Sequence, residues 1–237
     1  MKVGFVSDAH GNPHGLKVCL EHLRRLGVKD VYFLGDAVGY FPDAQRTIDL
    51  LEAECVACLM GNHEAMLLGD LPVEPGHDRV AKITETREQI GSSYLEKIRS
   101  WERFKKIELD GRDILCVHGN PWDPLNGYVY PDSDIQGFSE MPFDAFFLGH
   151  THRPFIRKVG ASIVTNVGSC SLPRDQGNLA SCSVYDSTED TVQVLRVPFD
   201  KDKIIRLYGN WVSSEVRDTL LRQADKETTG DIVEKLP

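Results

Sequence analysis

Five stretches of the chain share one pattern, a short apolar run that closes on polar residues. They are 2–10 (KVGFVSDAH), 30–36 (DVYFLGD), 54–64 (ECVACLMGNHE), 112–120 (RDILCVHGN) and 143–152 (FDAFFLGHTH). Runs this short, rich in Val, Ile, Leu and Phe, predict strands buried on both faces. Helical spacing follows the first two. Asn12 is placed as an N-cap, and Pro13 suits the first helical position. Leu16, Cys19, Leu20 and Leu23 then mark an apolar stripe on a helix ending near Gly27, and a second helix is predicted over Asp43–Glu54. Residues 78–103 predict two helices broken at Gly91, with Ser93 and Glu96 as a capping box and Tyr94, Ile98 and Trp101 facing inward. In the C-terminal third, 161–167, 180–186 and 190–197 read as strands of a second sheet. Val216–Gln223 predicts a last helix, and ETTGD after it reads as loose. The architecture that follows is α/β, with helices outside two packed sheets.

A length of 237 residues without linker, repeat or low-complexity tract favours a single domain over 1–237. The net charge of −9, from 36 acidic and 27 basic residues, disfavours double-stranded nucleic acid and anionic membranes. The strand-like run beginning at Lys2 leaves no room for a signal peptide, and no apolar stretch approaches the ~18 residues that span a bilayer, so a cytoplasmic location is expected. Cys55 and Cys58 have a C-x-x-C spacing, but without a second such pair they read as buried, hydrophobe-like thiols.

In open α/β sheets, ligands bind beyond the carboxyl ends of the strands, where these polar clusters fall. The candidates are Asp8, His10, Asp36, Asn62, His63, His118, His150 and His152, which include five of the eight histidines. Mixed oxygen and nitrogen donors without sulfur suit Mn, Fe or Zn, and the number of donors suits two ions sharing a carboxylate. Of the rest, Arg153 and Arg174 are either phosphate contacts or surface arginines. Tyr40, Phe41, Trp122 and Tyr128 either stack on a base or pack their loops, and Asn12 is a further candidate for substrate contact. His14 reads as solvated or substrate-facing, while His22 and His77 read as ordinary surface residues. GSCS around Cys170 lacks the G-x-S-x-G of a nucleophile elbow.

The ordered blocks D-x-H, G-D, G-N-H-E, H-G and G-H-x-H, at Asp8–His10, Gly35–Asp36, Gly61–Glu64, His118–Gly119 and Gly149–His152, resemble the calcineurin-like metallophosphoesterase superfamily. Surrounding stretches (SDAHGNPHGL, YFLGDAVGYFPDA, HGNPWDPLN, NVGSCSLPRD) look like its small prokaryotic branch of YfcE-like phosphodiesterases and diadenosine tetraphosphatase-like proteins. The resemblance implies a four-layer α-β-β-α sandwich of two mixed sheets flanked by helices, with a helical insertion at about 66–103 and a C-terminal helix or tail at about 207–237. The insertion reads either as a lid or as packing.

The resemblance also implies two divalent cations, Mn²⁺ first, with Fe, Zn or Ni as alternatives. Asp8, His10 and His152 would hold one ion, Asn62, His118 and His150 the other, with Asp36 bridging. His63 would be the general acid. Glu64 stands where this branch commonly has Asp, which leaves open what orients His63. The expected activity is hydrolysis of a phosphodiester or nucleotide phosphate ester by metal-bound hydroxide. The alternatives are a phosphoprotein phosphatase or a non-catalytic scaffold that keeps the fold, as the retromer's phosphoesterase-like subunit does. The partner is a small phosphoester or nucleotide, with homo-oligomerisation open.

Overall fold

A computed structural model describes residues 1–223 and 229–233. Two sheets face one another. The first has six strands, β1 (Lys2–Val6), β2 (Asp30–Phe33), β3 (Ala57–Cys58), β9 (Leu179–Asp186), β10 (Thr191–Pro198) and β11 (Asp231–Ile232), in the order β11-β10-β9-β1-β2-β3. The second has five, β4 (Phe104–Leu109), β5 (Arg112–Val117), β6 (Ala145–Leu148), β7 (Phe155–Val159) and β8 (Ser162–Asn166), in the order β4-β5-β6-β8-β7. Both are mixed. β1, β2 and β3 run parallel with β9 antiparallel to β1, while β5, β6 and β8 run parallel between the antiparallel β4 and β7.

The period of two along each strand divides the core. Val3 and Phe5 of β1, Ile114 and Cys116 of β5, and Ala145 and Phe147 of β6 meet between the sheets. Phe5 stacks on Phe147 with centroids 3.7 Å apart. The alternate positions face outward. Val6, Phe33, Cys182 and Val197 meet helices α1 (Pro13–Arg25), α2 (Ala44–Ala53), α7 (Lys201–Tyr208) and α8 (Ser214–Leu221). Leu115, Val117, Phe146 and Leu148 are covered by Val129, Ile135 and Phe138, the last in a 3-10 turn, Gln136–Glu140.

The expected four layers are present, and α1 begins as read: Asn12 Oδ1 caps the His14 N–H at 3.2 Å and Pro13 opens the helix. Several expectations are corrected. The segments at 180–186 and 190–197 do not join 162–166 in a second sheet; as β9 and β10 they return to β1 and complete the first. Residues 66–103 hold the end of α3 (Asn62–Leu68) and then three helices, α4 (Pro75–Ala81), α5 (Ile83–Gln89) and α6 (Ser92–Arg99). Lys82, at φ 59°, separates α4 from α5. α6 starts one residue before Ser93, with Gly91 at its N-cap and no side-chain cap, so the Ser93/Glu96 box does not form. Ile98 is buried, and Tyr94 and Trp101 are partly buried against the same core.

Cys55 is exposed and Cys58 half-buried, because the 54–60 run supplies only two residues of strand at a sheet edge; all six thiols are free. α7 was not foreseen. Of ETTGD, residues 227 and 228 lie outside the described residues, and Asp231 opens β11. No helix among the described residues is long and apolar enough to cross a membrane.

The Phe5–Phe147 contact joins the sheets directly. Phe147→Ala is expected to cost ~3–5 kcal/mol in urea unfolding, and Phe147→Leu under half of that, since it keeps most of the volume. Equal midpoints for the wild type and Phe147→Ala would refute this.

Candidate metal centre

The site forms where the parallel strands end. Asp8 follows β1, Asp36 follows β2, His118 directly follows β5, and His150 and His152 follow β6. Asn62 and His63 open α3. All eight candidates are buried, none more than 6 % exposed. Of the ten non-glycine residues with positive φ among the described ones, five are here: Asp8, His10, Asp36, His150 and His152. Strain so concentrated is a mark of a functional site. Two glycines allow the crowding. A Cβ on Gly61 would run into the Asp36 carboxylate, and one on Gly149 into Ser7 and Asp8.

The backbone holds the imidazoles by their Nδ1 atoms, which lie 3.2 Å from Val38 O (His10), 2.9 Å from Leu34 O (His118) and 2.7 Å from Leu172 O (His152). A carbonyl accepts only, so each Nδ1 carries a proton, and each ring, when neutral, turns its Nε2 lone pair inward. His10 Nε2 and His152 Nε2 then face each other at 2.9 Å. Asp8 Oδ1 lies 3.2 Å from His152 Nε2 without a hydrogen bond of proper geometry.

On the other side, His118 Nε2 is 3.1 Å from Asn62 Oδ1, 3.2 Å from His150 Nδ1 and 3.4 Å from Asp36 Oδ2. Asp36 Oδ2 is also 3.8 Å from His10 Nε2, within reach of both groups. Buried lone pairs pointed at one another repel unless a cation or proton lies among them. The groups Asp8/His10/His152 and Asp36/His118/His150 therefore fit two metal ions with a shared carboxylate. A third grouping, His10/Asp36/His63, adds His63 at the edge, its Nε2 3.9 Å from Asp36 Oδ2.

Without cations, the electrostatics follow from this crowding. Burial presses the imidazoles toward neutrality: His150 falls to about 3, with His118 adding to the effect, and His63 falls to about 4. His118 goes the other way. Burial opposes its charge, yet the Asp36 carboxylate prevails and lifts it to about 9. Burial likewise opposes the Asp8 and Asp36 carboxylates, but the neighbouring imidazoles, His152 and His118 foremost, hold both below the usual range.

Glu64 does not touch His63. Its carboxylate accepts from the N–H groups of Asp36 (2.7 Å), Ala37 (2.7 Å), Val38 (3.2 Å) and Gly61 (2.8 Å). Burial and the Asp36 charge push Glu64 up to about 7 against those donors. His63 is oriented by Val38 O, 3.1 Å from its Nδ1.

Among the remaining candidates, Arg174 stands beside the centre. Its N–H donates to His152 O at 3.1 Å, and its guanidinium favours the ionised Tyr40 and Tyr128 hydroxyls, though burial raises both. Tyr128 lies 4.1 Å from the His150 ring and stacks on Tyr130. Tyr40 packs on His10 and His63. Phe41 is fully buried and is a core residue, not a stacking surface. Trp122 is 60 % exposed and packs edge-on to Phe138. Arg153 is half-buried, its N–H on Thr151 Oγ1. Asn12 spends its oxygen on the α1 cap, leaving a buried Nδ2 without a partner.

His14 lines a separate groove of about 350 Å³ with Lys17, Phe199 and Lys203, which none of the eight candidates lines. Two features escaped the sequence reading. Ser169 and Ser171, in the GSCS stretch, both donate to Asp8 O, at 2.7 and 3.2 Å. His77, read as a surface residue, has its ring 5.3 Å from that of His63. It sits on α4 rather than at a strand end, so no spacing pointed to it.

Residues 1–190 match the profile of the calcineurin-like phosphoesterase superfamily domain. An uncharacterised protein of Methanocaldococcus jannaschii is 26 % identical over 220 residues, 85 % of this chain and 89 % of the relative. Two crystal structures share the fold. A hypothetical protein of Pyrococcus horikoshii OT3 superposes with a TM-score of 0.78 at 19 % identity, over 98 % of this chain and 99 % of that one. A metallophosphoesterase of Sphaerobacter thermophilus gives 0.75 at 22 %, over 93 % and 98 %.

The raised His118 makes a pH prediction. A folded pKa of about 9, above the ordinary 6.5, stabilises the fold fully below pH 6.5, and that stability is lost as pH rises through 9. The melting temperature of metal-stripped protein in chelator should therefore fall between pH 7 and 10, and His118→Asn should flatten that fall. An identical slope in the variant would contradict the assignment.

Proposed function

We propose, since this chain belongs to the calcineurin-like phosphoesterase superfamily, that it hydrolyses a phosphodiester or a nucleotide phosphate ester at a two-cation centre assisted by a general acid. Membership makes it a metal-dependent phosphoric ester hydrolase. One observation carries the finer reading: two buried Asp/His groups meet at Asp36 with lone pairs converging from both sides.

On this reading Asp8, His10 and His152 hold one ion, Asn62, His118 and His150 the other, and Asp36 touches both. Mn²⁺ is the first choice for such oxygen and nitrogen donors. When bound, the cations supply charge neutralisation of the phosphate and acidify water. The chain supplies the rest. Backbone carbonyls fix each imidazole tautomer, so the donor set is arranged before substrate arrives. The neutral Asn62 amide leaves more net positive charge to face the phosphate than a carboxylate would.

His63 stands beside Asp36 with Nδ1 on Val38 O, so Nε2 faces outward and would pass a proton to the departing oxygen from the charged ring, a form that burial opposes and the Asp36 carboxylate favours. Arg174 is the candidate to hold a non-bridging phosphate oxygen, with Arg153 and the orphan Asn12 amide as secondary contacts. The exposed Tyr128–Tyr130 pair beside His150 favours a substrate with a planar group, such as a nucleoside. Trp122 is a further aromatic on the same loop.

The test is hydrolysis of bis-p-nitrophenyl phosphate and p-nitrophenyl phosphate by metal-stripped protein titrated with Mn²⁺. Turnover should appear with metal and fall ~10²-fold or more in Asp36→Asn and His118→Ala. No turnover and no Mn²⁺ uptake by calorimetry would favour the scaffold reading instead.

A further inference from the structure

The general-acid candidate is held from a direction that its own motif does not supply. The carboxylate next in sequence, Glu64, is committed to four backbone N–H groups and leaves His63 alone. The His63 ring has one hydrogen bond to a carbonyl, at Nδ1, and otherwise rests on other rings: Tyr40 at 5.1 Å, His77 at 5.3 Å and His10 at 4.6 Å. His10 is a metal-ligand candidate with its own constraints, so Tyr40 and His77 are the groups free to set the ring's attitude.

Both belong to one packed unit built on the insertion. The Tyr40 N–H donates to Ala81 O, the last residue of α4, at 2.6 Å. Gly39, before it, lies so close that a Cβ there would strike both His63 Nδ1 and Ala81 O. α4 is tied down in turn. Arg79 pairs with Glu215 of α8, and the Asp78 carboxylate accepts from the Thr84 N–H at 3.0 Å. Arg87 of α5 donates to Leu67 O at 2.8 Å and to Met66 O, at the end of α3 that His63 opens. His77 lies on this tethered helix with its ring edge-on to that of His63, at an interplanar angle of 72°.

We propose that His77 is a positioning residue: through this ring contact the 66–103 insertion fixes the orientation in which His63 delivers its proton to the leaving group. The proposal rests on the phosphoesterase reading above. Removing the ring lets His63 rotate about its hydrogen bond to Val38 and misdirect Nε2. A leaving group of low basicity departs without a proton, whereas a basic one needs it, so the defect grows with leaving-group basicity.

The experiment measures kcat for a series of aryl phosphodiesters, from p-nitrophenyl to p-methoxyphenyl, with the Mn²⁺-loaded full chain. The slope of log kcat against phenol pKa is compared among wild type, His63→Asn, His77→Ala and His77→Phe, with Mn²⁺ stoichiometry and melting temperature recorded for each. The expected result is a shallow slope in the wild type and a steep one in His63→Asn. His77→Ala should approach the latter, losing ~10–100-fold on the most basic leaving group, and His77→Phe should recover the shallow slope by restoring a ring.

An unchanged slope in His77→Ala, whatever its overall rate, overturns the proposal, as does failure of His77→Phe to recover. A wild type with no turnover on any ester fails the phosphoesterase reading itself, and a shallow slope in His63→Asn fails the acid role. Both are distinct from an indifferent His77.

Discussion

The centre depends on one buried carboxylate that would touch neither metal nor substrate. Glu64 gathers N–H groups from two separated pieces of chain, residues 36–38 after β2 and Gly61 before α3. Those pieces carry Asp36, the Val38 carbonyl and His63. The Val38 carbonyl in turn orients two imidazoles, of His10 and His63, so one side chain supports the proposed bridging carboxylate, one proposed ligand ring and the proposed acid. A backbone at positive φ, as at Asp36, needs this external support, because the conformation is unfavourable in isolation. An Asp would be one methylene shorter between helix and loop, which gives the longer residue a reason of its own here.

The same logic of support by carbonyls runs around the site. Leu34 and Leu172 do for His118 and His152 what Val38 does for His10. These carbonyls come from the ends of strands and from the loop before β9, so the sheets act as a jig for imidazole tautomers. The cost of burying so many polar groups is eased where the His10, His63, His118 and His152 rings each meet a backbone carbonyl, and cations at the proposed sites would offset more of it.

The convergence of these eight residues was legible because ligands of open α/β sheets bind beyond the carboxyl ends of the strands, and five runs of this chain close on polar residues there. The first helix was legible for the same reason of local chemistry: Asn12 and Pro13 announce it. What could not be read depends on long-range choice. Nothing within 180–186 or 190–197 says which sheet those strands join, since any apolar edge would accept them; the pairing with β1 is settled by tertiary packing. Cys55 and Cys58 read as buried because an apolar run of this length reads as a full strand, whereas the chain gives the edge only two residues there. Ser93 lost its cap because Gly91 offered the turn two residues earlier. His77 carries no local signal, as its role is defined by the residue it meets across the fold.

The return of β9 to β1 has a consequence for the order in which the molecule is made. Every proposed ligand is in place on the chain by residue 152, yet β1 lacks one of its two neighbours until residues 179–186 arrive, and Asp8 and His152 wait for Ser169 and Leu172. A ribosome that has delivered all the motif residues has therefore not delivered a site. Sheet closure joins segments some 180 residues apart, a contact of high sequence separation, and the finished donor set can exist only after it. Until then the same imidazoles and carboxylates are loose side chains without a common arrangement.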